Sequence, residues 1–531
     1  MSTTTVNRAS GSTGPPHSRE QRVNSGLPFR HYFSPQITPY GTVPLLLVAF
    51  VVLVVTSATG VSAQTLRVRL AVNSIEPAKV QIEAEGFTGS TTLSFPNTYG
   101  GVLGLGQRIE NLDAMDARGH VIPVRKLATG EFQTTVPFTR LKYDVNLTEP
   151  RRAADMSHVS WLNKQHGLLM LSDLLPQPTG SSATLLTIAV QLEVPAGWTV
   201  FSNLKNQDSQ YFTANADKAV FLIGSSLHQK SRRFGSTDFS ICTSGAWPFT
   251  EDEIFKIIEP ILKRYSRITG SKLKGNAALM LVPYAGDAGP SKWSAETRDN
   301  AVVLLLGRRA TGGYVLAQLA IVLSHELFHR WVPGALNLQG DYDWFFEGFT
   351  LYEALRMNLH LGLISFQDYL NTLARVYESY LNSVNRDALS LLAASERRWT
   401  TSSSLVYEKG MLVAFLYDLA VRQQRGCKAS IGDLYKQLFQ LKRAGQQSAN
   451  ETIIRLMSNN GEMKSFVESY IQGSDRVDLD PLLSLFGLRL QRGSGALRID
   501  IGNDISKEQK KLLGCLGLEN LKYLPLRIPK N

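Results

Sequence analysis

Between residues 66 and about 238 the chain alternates short apolar and polar positions. The runs 66–72 (LRVRLAV), 79–84 and 185–194 (LLTIAVQLEV) are separated by Gly, Pro and Asn. A two-residue period places successive side chains on opposite faces of a strand, which predicts a β-sandwich-like domain over residues 64–238. The period changes at Thr250-Glu251-Asp252-Glu253, where a capping box opens an amphipathic helix running to Tyr265. Two continuous apolar runs, 277–284 and 301–307, read as buried strands. Residues 314–331 (YVLAQLAIVLSHELFHRW) then predict one buried helix, ended by Pro333-Gly334. Asp343 is the expected N-cap of the next helix, and helical spacing continues in segments to Gly473. Residues 239–475 are therefore expected to form a second domain, α+β in class and mostly helical in its second half. Residues 476–531 are left as a C-terminal tail.

Chemistry concentrates in the predicted buried helix. His325 and His329 stand four apart and share a helical face, so each can present an imidazole nitrogen to one metal ion. Glu326 lies at the edge of that face, where its carboxylate can take a proton from a metal-activated water. Glu347, in Trp344-Phe345-Phe346-Glu347-Gly348, supplies a third ligand from the following helix. Its apolar neighbours direct it inward, against the alternative of a carboxylate on a helix surface. With 9 His in 531 residues, a chance HExxH is expected in roughly one of 100 such chains. A charged His-Glu-His group inside an apolar helix would also be costly without a cation. Three ligands and an open fourth position predict catalytic Zn2+, one ion per chain. A sheet leading into such a helix, followed by a helical bundle, is a thermolysin-like arrangement.

Residues 1–42 are rich in Ser, Thr, Pro, Gly and Arg, and residues 43–55 (VPLLLVAFVVLVV) carry no charge. About 13 apolar residues are short for a membrane span and suit a signal segment. Val61-Ser62-Ala63 before Gln64 fits a cleavage site, which makes residues 1–63 an extension plus signal peptide or signal anchor. The protein is thus expected to be exported: periplasmic, secreted, or anchored to the membrane by an uncleaved signal. The net charge is +11, and residues 1–63 hold +3 of it (four Arg less one Glu), leaving +8 on the rest. No Lys/Arg-rich run with interleaved aromatics occurs, so a nucleic-acid partner is not expected. Cys242, Cys427 and Cys515 allow at most one intrachain bridge and have no metal-ligand spacing.

The motifs His325-Glu326-Leu327-Phe328-His329-Arg330-Trp331, Trp344-Phe345-Phe346-Glu347-Gly348-Phe349-Thr350 and Tyr407-Glu408-Lys409-Gly410-Met411-Leu412-Val413 occur in this order. In them the chain resembles the glycyl-aminopeptidase family of gluzincin zinc metallopeptidases, over most of residues 65–490. The resemblance implies hydrolysis of peptide bonds in peptide or protein substrates, with His325, His329 and Glu347 as zinc ligands and Glu326 as general base. It also implies that the Tyr407 hydroxyl stabilises the oxyanion, where local reading alone favours a core tyrosine. Glu408 and Lys409 are expected on a solvated helix face. Aminopeptidases of the broader group read the substrate amine with a glutamate on an edge strand, which makes Glu296 the candidate here. Its segment, Trp293-Ser294-Ala295-Glu296-Thr297-Arg298, lacks the glycines usual at that place. A C-terminal PDZ domain, frequent in the family, would not fit in residues 491–531. The rival reading is an exported envelope binding protein with a structural or vestigial zinc site, and the intact Glu326 argues against it.

Overall fold

The computed structural model describes residues 65–177, 187–336, 338–441, 447–458, 461, 463–492 and 496–518. The apolar run 43–55 and the expected cleavage site at Ala63 lie outside them. Among the described residues no helix is long and apolar enough to cross a membrane.

The alternation in the first half resolves into an eight-stranded and a four-stranded sheet, packed as a sandwich. Strand Thr65–Ile75 shows the logic. Leu66, Val68 and Leu70 point into the core, while Arg69 faces outward and bridges Glu83 and Glu193 on the neighbouring strands. Val68, Ile82 and Tyr143 of the larger sheet meet Leu169, Phe221 and Ile223 of the smaller.

The other face of the smaller sheet is also covered. Trp161, Leu168, Met170 and Leu222 pack on Cys242, Met280, Val303 and Leu305 of a third, five-stranded sheet. Its order is Leu227–Phe234, Thr237–Ser244, Gly275–Pro283, Ala301–Leu306, Trp293–Arg298. The opposite face of this sheet, with Ile241, Leu279, Leu281, Val302 and Leu304, lies in the core shared with the helices. Burial on both faces explains why Ala301–Leu306 reads AVVLLL without alternation. Sequence reasoning placed the domain boundary at Asp238. In the structure the hairpin formed by Leu227–Phe234 and Thr237–Ser244 belongs to this third sheet, where Thr237–Ser244 runs parallel to Gly275–Pro283.

The helix Glu251–Thr269 begins with the predicted Thr250/Glu253 capping box and packs under the sheet. Residues expected as a tail are integral to the helical half. Leu488–Gln491 pairs with Arg498–Ile501, and the helix Lys507–Leu516 follows. Ile499, Leu512, Leu513 and Leu516 sit in the same core as the helices Gly312–Glu326 and Thr350–His360. Cys515 is joined to Cys427 across 88 residues with a Cα separation of 6.2 Å, while Cys242 is free and buried.

Candidate active site

The predicted buried helix spans Gly312–Glu326, and Phe328–Arg330 continues it as a 3-10 turn. Phe328 accepts from the amides of both Trp331 and Val332, which tightens the last turn ahead of Pro333. His325 therefore leaves the α-helix and His329 the tighter turn, yet their Nε2 atoms come within 3.1 Å. His329 Nδ1 pairs with the Val332 carbonyl at 3.0 Å, which assigns that nitrogen the hydrogen and leaves the Nε2 lone pair facing inward. Glu347 Oε2 stands 3.5 Å from His325 Nε2 and 3.6 Å from His329 Nε2.

Tetrahedral ligands about 2.0–2.1 Å from zinc are necessarily about 3.3 Å from one another. The three spacings of 3.1, 3.5 and 3.6 Å bracket that value. The donor set and its spacing fit a zinc ion. Burial would raise the Glu347 pKa, but His329, His325 and Arg398 outweigh it and hold the carboxyl well below the usual range. It is available as an anionic ligand. Burial would likewise lower His329, but without a metal ion the Glu347 carboxylate raises it to about 9, so a metal would displace the Nε2 proton as it binds.

Glu347 is carried by a π-helical turn, Trp344–Phe349, that runs into the helix Thr350–His360. Asp343 is not the expected N-cap. Its backbone is already helical and makes no cap bond, and its carboxylate instead accepts from Arg398. Tyr407 lies in another π-helical turn, Leu405–Lys409. The two turns touch backbone to backbone: a Cβ on Gly348 would lie 2.5 Å from Gly410 Cα and 2.8 Å from the Val406 carbonyl oxygen. Only glycine at both positions permits this approach. It brings Tyr407 to the metal ligand, and one Arg398 nitrogen bonds both the Tyr407 oxygen and Glu347 Oε1. Burial raises the Tyr407 pKa, the Glu347 charge adds to this, and Arg398 opposes it. The hydroxyl stays protonated and can donate.

Glu326 is 6% exposed and accepts a 2.7 Å hydrogen bond from Thr297 of the edge strand. Thr297 and Glu296 are adjacent, so they face opposite sides of that strand. Glu296 turns away from Glu326 towards the sandwich domain. It accepts from Tyr99 at Oε1 and pairs with His158 Nδ1 at 2.6 Å through Oε2, with Arg298 at 3.7 Å. Burial would raise its pKa, but the His158 bond, the Arg298 charge and the Tyr99 bond hold it below the ordinary value. Its negative charge is already matched. Lys409 is not on a solvated face: it is fully buried, and its Nζ has no hydrogen-bond partner among the described residues. Glu408 accepts from Ser379 and Ser383.

Sequence reasoning did not find Thr297, Arg398, or the Tyr99 and His158 partners of Glu296. Arg397-Arg398 reads as an ordinary charged pair in a turn, and nothing local marks which of the two is buried.

Fold and donor set together define a peptidase of the zinc metallopeptidase class. More narrowly, two segments of the chain match models of M61 peptidases. Residues 60–220 match the peptidase M61 N-terminal domain and residues 318–413 match M61 glycyl aminopeptidase. The chain is similar to a solved aminopeptidase N family protein from Idiomarina loihiensis, at 17% identity and a TM-score of 0.69, over 83% of this chain and 82% of that one. It is also similar to an M1 zinc metallopeptidase from Deinococcus radiodurans, at 15% identity and a TM-score of 0.52, over 78% of this chain and 95% of that one. A mutant of that enzyme bound to a Tyr-Ser-Ala substrate is similar at 14% identity and a TM-score of 0.50, with the same coverage. At such identities the likeness is one of fold. No curated protein matches the chain by sequence.

Proposed function

We propose that the protein is an aminopeptidase that holds one zinc ion per chain through His325, His329 and Glu347. The observation that carries the metal is the near-tetrahedral spacing of the three ligand atoms, with the Glu326 carboxylate alongside. Bound zinc supplies Lewis acidity and makes a water acidic near neutral pH. Glu326 takes the proton of the attacking water as its oxygen bonds to the scissile carbonyl carbon. Tyr407 donates to the carbonyl oxygen as that atom gains charge. Glu326 then passes the proton to the leaving amine as the C–N bond breaks. Thr297 keeps Glu326 in place through its 2.7 Å hydrogen bond.

Action at a free N-terminus is supported by the glycyl aminopeptidase match and by the tripeptide held by the D. radiodurans relative. Glu296, ionised and on the edge strand, is the carboxylate proposed to meet the substrate amine. An endopeptidase is the second reading, favoured by the partners that Glu296 already has in Tyr99, His158 and Arg298. The ratio of kcat/KM for free and N-acetylated peptides decides between them. A strong preference for free peptides, reduced in Glu296→Ala, is expected, and equal cleavage of both by the wild type would make it an endopeptidase. Export is also proposed. The Cys427–Cys515 bridge supports it, since such bonds persist in oxidising compartments, and the apolar run 43–55 would serve as cleaved signal or anchor.

A further inference from the structure

Among the described residues Arg398 is the guanidinium that touches both Glu347 and Tyr407, and the sequence offers no role for it. It opens the π-helical turn Arg398–Ser402, on a segment separate from those that carry the histidines, Glu347 and Tyr407. Its side chain is 10% exposed. Nη1 donates to Asp343 Oδ1 at 2.5 Å, while Nη2 donates to Glu347 Oε1 at 2.9 Å and to the Tyr407 oxygen. The plane is packed against aromatic rings: Trp399 at 4.3 Å, Tyr407 at 5.3 Å and Phe346 at 5.8 Å from the guanidinium carbon. Trp399 is itself 62% exposed, so its ring shields the guanidinium on a side open to water.

We propose that Arg398 is a positioning residue that sets Glu347 and Tyr407 for the reaction in a single hydrogen-bonded unit. The inference rests on the proposed roles of those two residues. A guanidinium has five donors and no acceptor, so the direction of each bond is forced. At Glu347 it occupies Oε1 and leaves Oε2 to face the two imidazoles. The carboxylate is thereby held to a one-oxygen presentation. At Tyr407 the phenol oxygen accepts, so its own hydrogen must point away from Arg398, and donation from a cation makes that hydrogen a better donor. Asp343 holds the far end of the fork and prevents it from rotating. Lysine would keep the charge but could not span these three acceptors with a fixed plane.

The test uses the full-length protein with zinc affinity, from competition with a chelator, as a readout independent of turnover. Arg398→Lys keeps a buried cation and thus the fold, and Arg398→Met removes it. Zinc affinity should fall by roughly 10–100-fold in Arg398→Met, the usual cost of losing a group that orients a ligand. In Arg398→Lys kcat should fall while KM changes little, because the aimed hydroxyl acts in the transition state. Placed on Tyr407→Phe, Arg398→Lys should cost less in kcat than it does in the wild type, since the hydroxyl it aims is gone. Millimolar guanidinium should restore part of the kcat of Arg398→Met. Unchanged zinc affinity together with unchanged kcat would overturn the proposal, and so would full additivity with Tyr407→Phe. If His329→Ala retains zinc or Tyr407→Phe keeps full kcat, the underlying site assignment fails instead.

Discussion

Gly348→Ala is the substitution that most directly tests how the site is assembled. In an ordinary helix interior, alanine is better than glycine by about 0.8–1 kcal/mol. Here the new Cβ would stand 2.5 Å from Gly410 Cα, 2.6 Å from Gly410 C and 2.8 Å from the Val406 carbonyl oxygen. All three are backbone atoms, so no rotamer change relieves the clash. Reaching carbon contact distances of about 3.5 Å requires the two turns to part by about 1 Å. Overpacking of this kind costs about 1–3 kcal/mol, which reverses the sign expected from helix propensity. The same displacement separates Glu347 from Tyr407, and about 1 Å of misplacement can cost 10²-fold in rate. Thermal unfolding, zinc retained after dialysis and kcat should therefore all fall together. A Gly348→Ala protein that melts at or above the wild-type temperature with undiminished kcat would refute the claim that this contact sets the site.

Other substitutions separate the chemical roles. Glu326→Gln should bind zinc normally and lose nearly all turnover, measured as kcat on a protein of unchanged metal content, because an amide cannot accept the proton of the water. Tyr407→Phe should lower kcat by roughly 10²-fold with a smaller effect on KM, an outcome that steady-state kinetics on one good peptide would check. Lys409→Met should stabilise the protein by roughly 1–4 kcal/mol, seen as a rise in Tm, because an unpaired buried cation is replaced by an apolar chain of similar length. Burial lowers the Lys409 pKa to about 8 despite Asp475 and Asp387. From pH 8 to about 10.4 the unfolded chain thus binds a proton that the folded chain lacks, and stability due to this group rises with pH across that window. Lys409→Met should remove that rise, which denaturant unfolding at pH 7.5 and pH 10 would detect.

The parts legible from sequence were those encoded locally. Four-residue spacing placed His325 and His329 on one face, apolar neighbours sent Glu347 inward, and the Thr250/Glu253 capping box marked a helix start that the structure contains. What escaped was set by distant contacts. Asp343 looked like an N-cap because Asp often is one, yet its carboxylate serves Arg398, 55 residues later. Thr237–Ser244 was divided between domains because its alternation, TDFSICTS, tells which face is buried but not which sheet the strand joins. Lys409 was assigned to solvent by type, whereas the packing of the turn Leu405–Lys409 encloses it. Glu296 lies on an edge strand as read from the sequence, whereas the part played by its neighbour Thr297, which faces Glu326, depends on a register that a single residue decides.

The central strands of the third sheet, Gly275–Pro283 and Ala301–Leu306, are covered on both faces, and this bears on how the protein can be divided in the laboratory. An expression fragment starting near Leu227 would keep the whole zinc site, and on paper it is a smaller peptidase. It would also strip the cover from Ala278, Met280, Val282, Val303 and Leu305, a continuous apolar strip that the four-stranded sheet now shields. Such a fragment should collect in inclusion bodies. On this reading the sandwich is the cover that the zinc-bearing half needs in order to stay in solution.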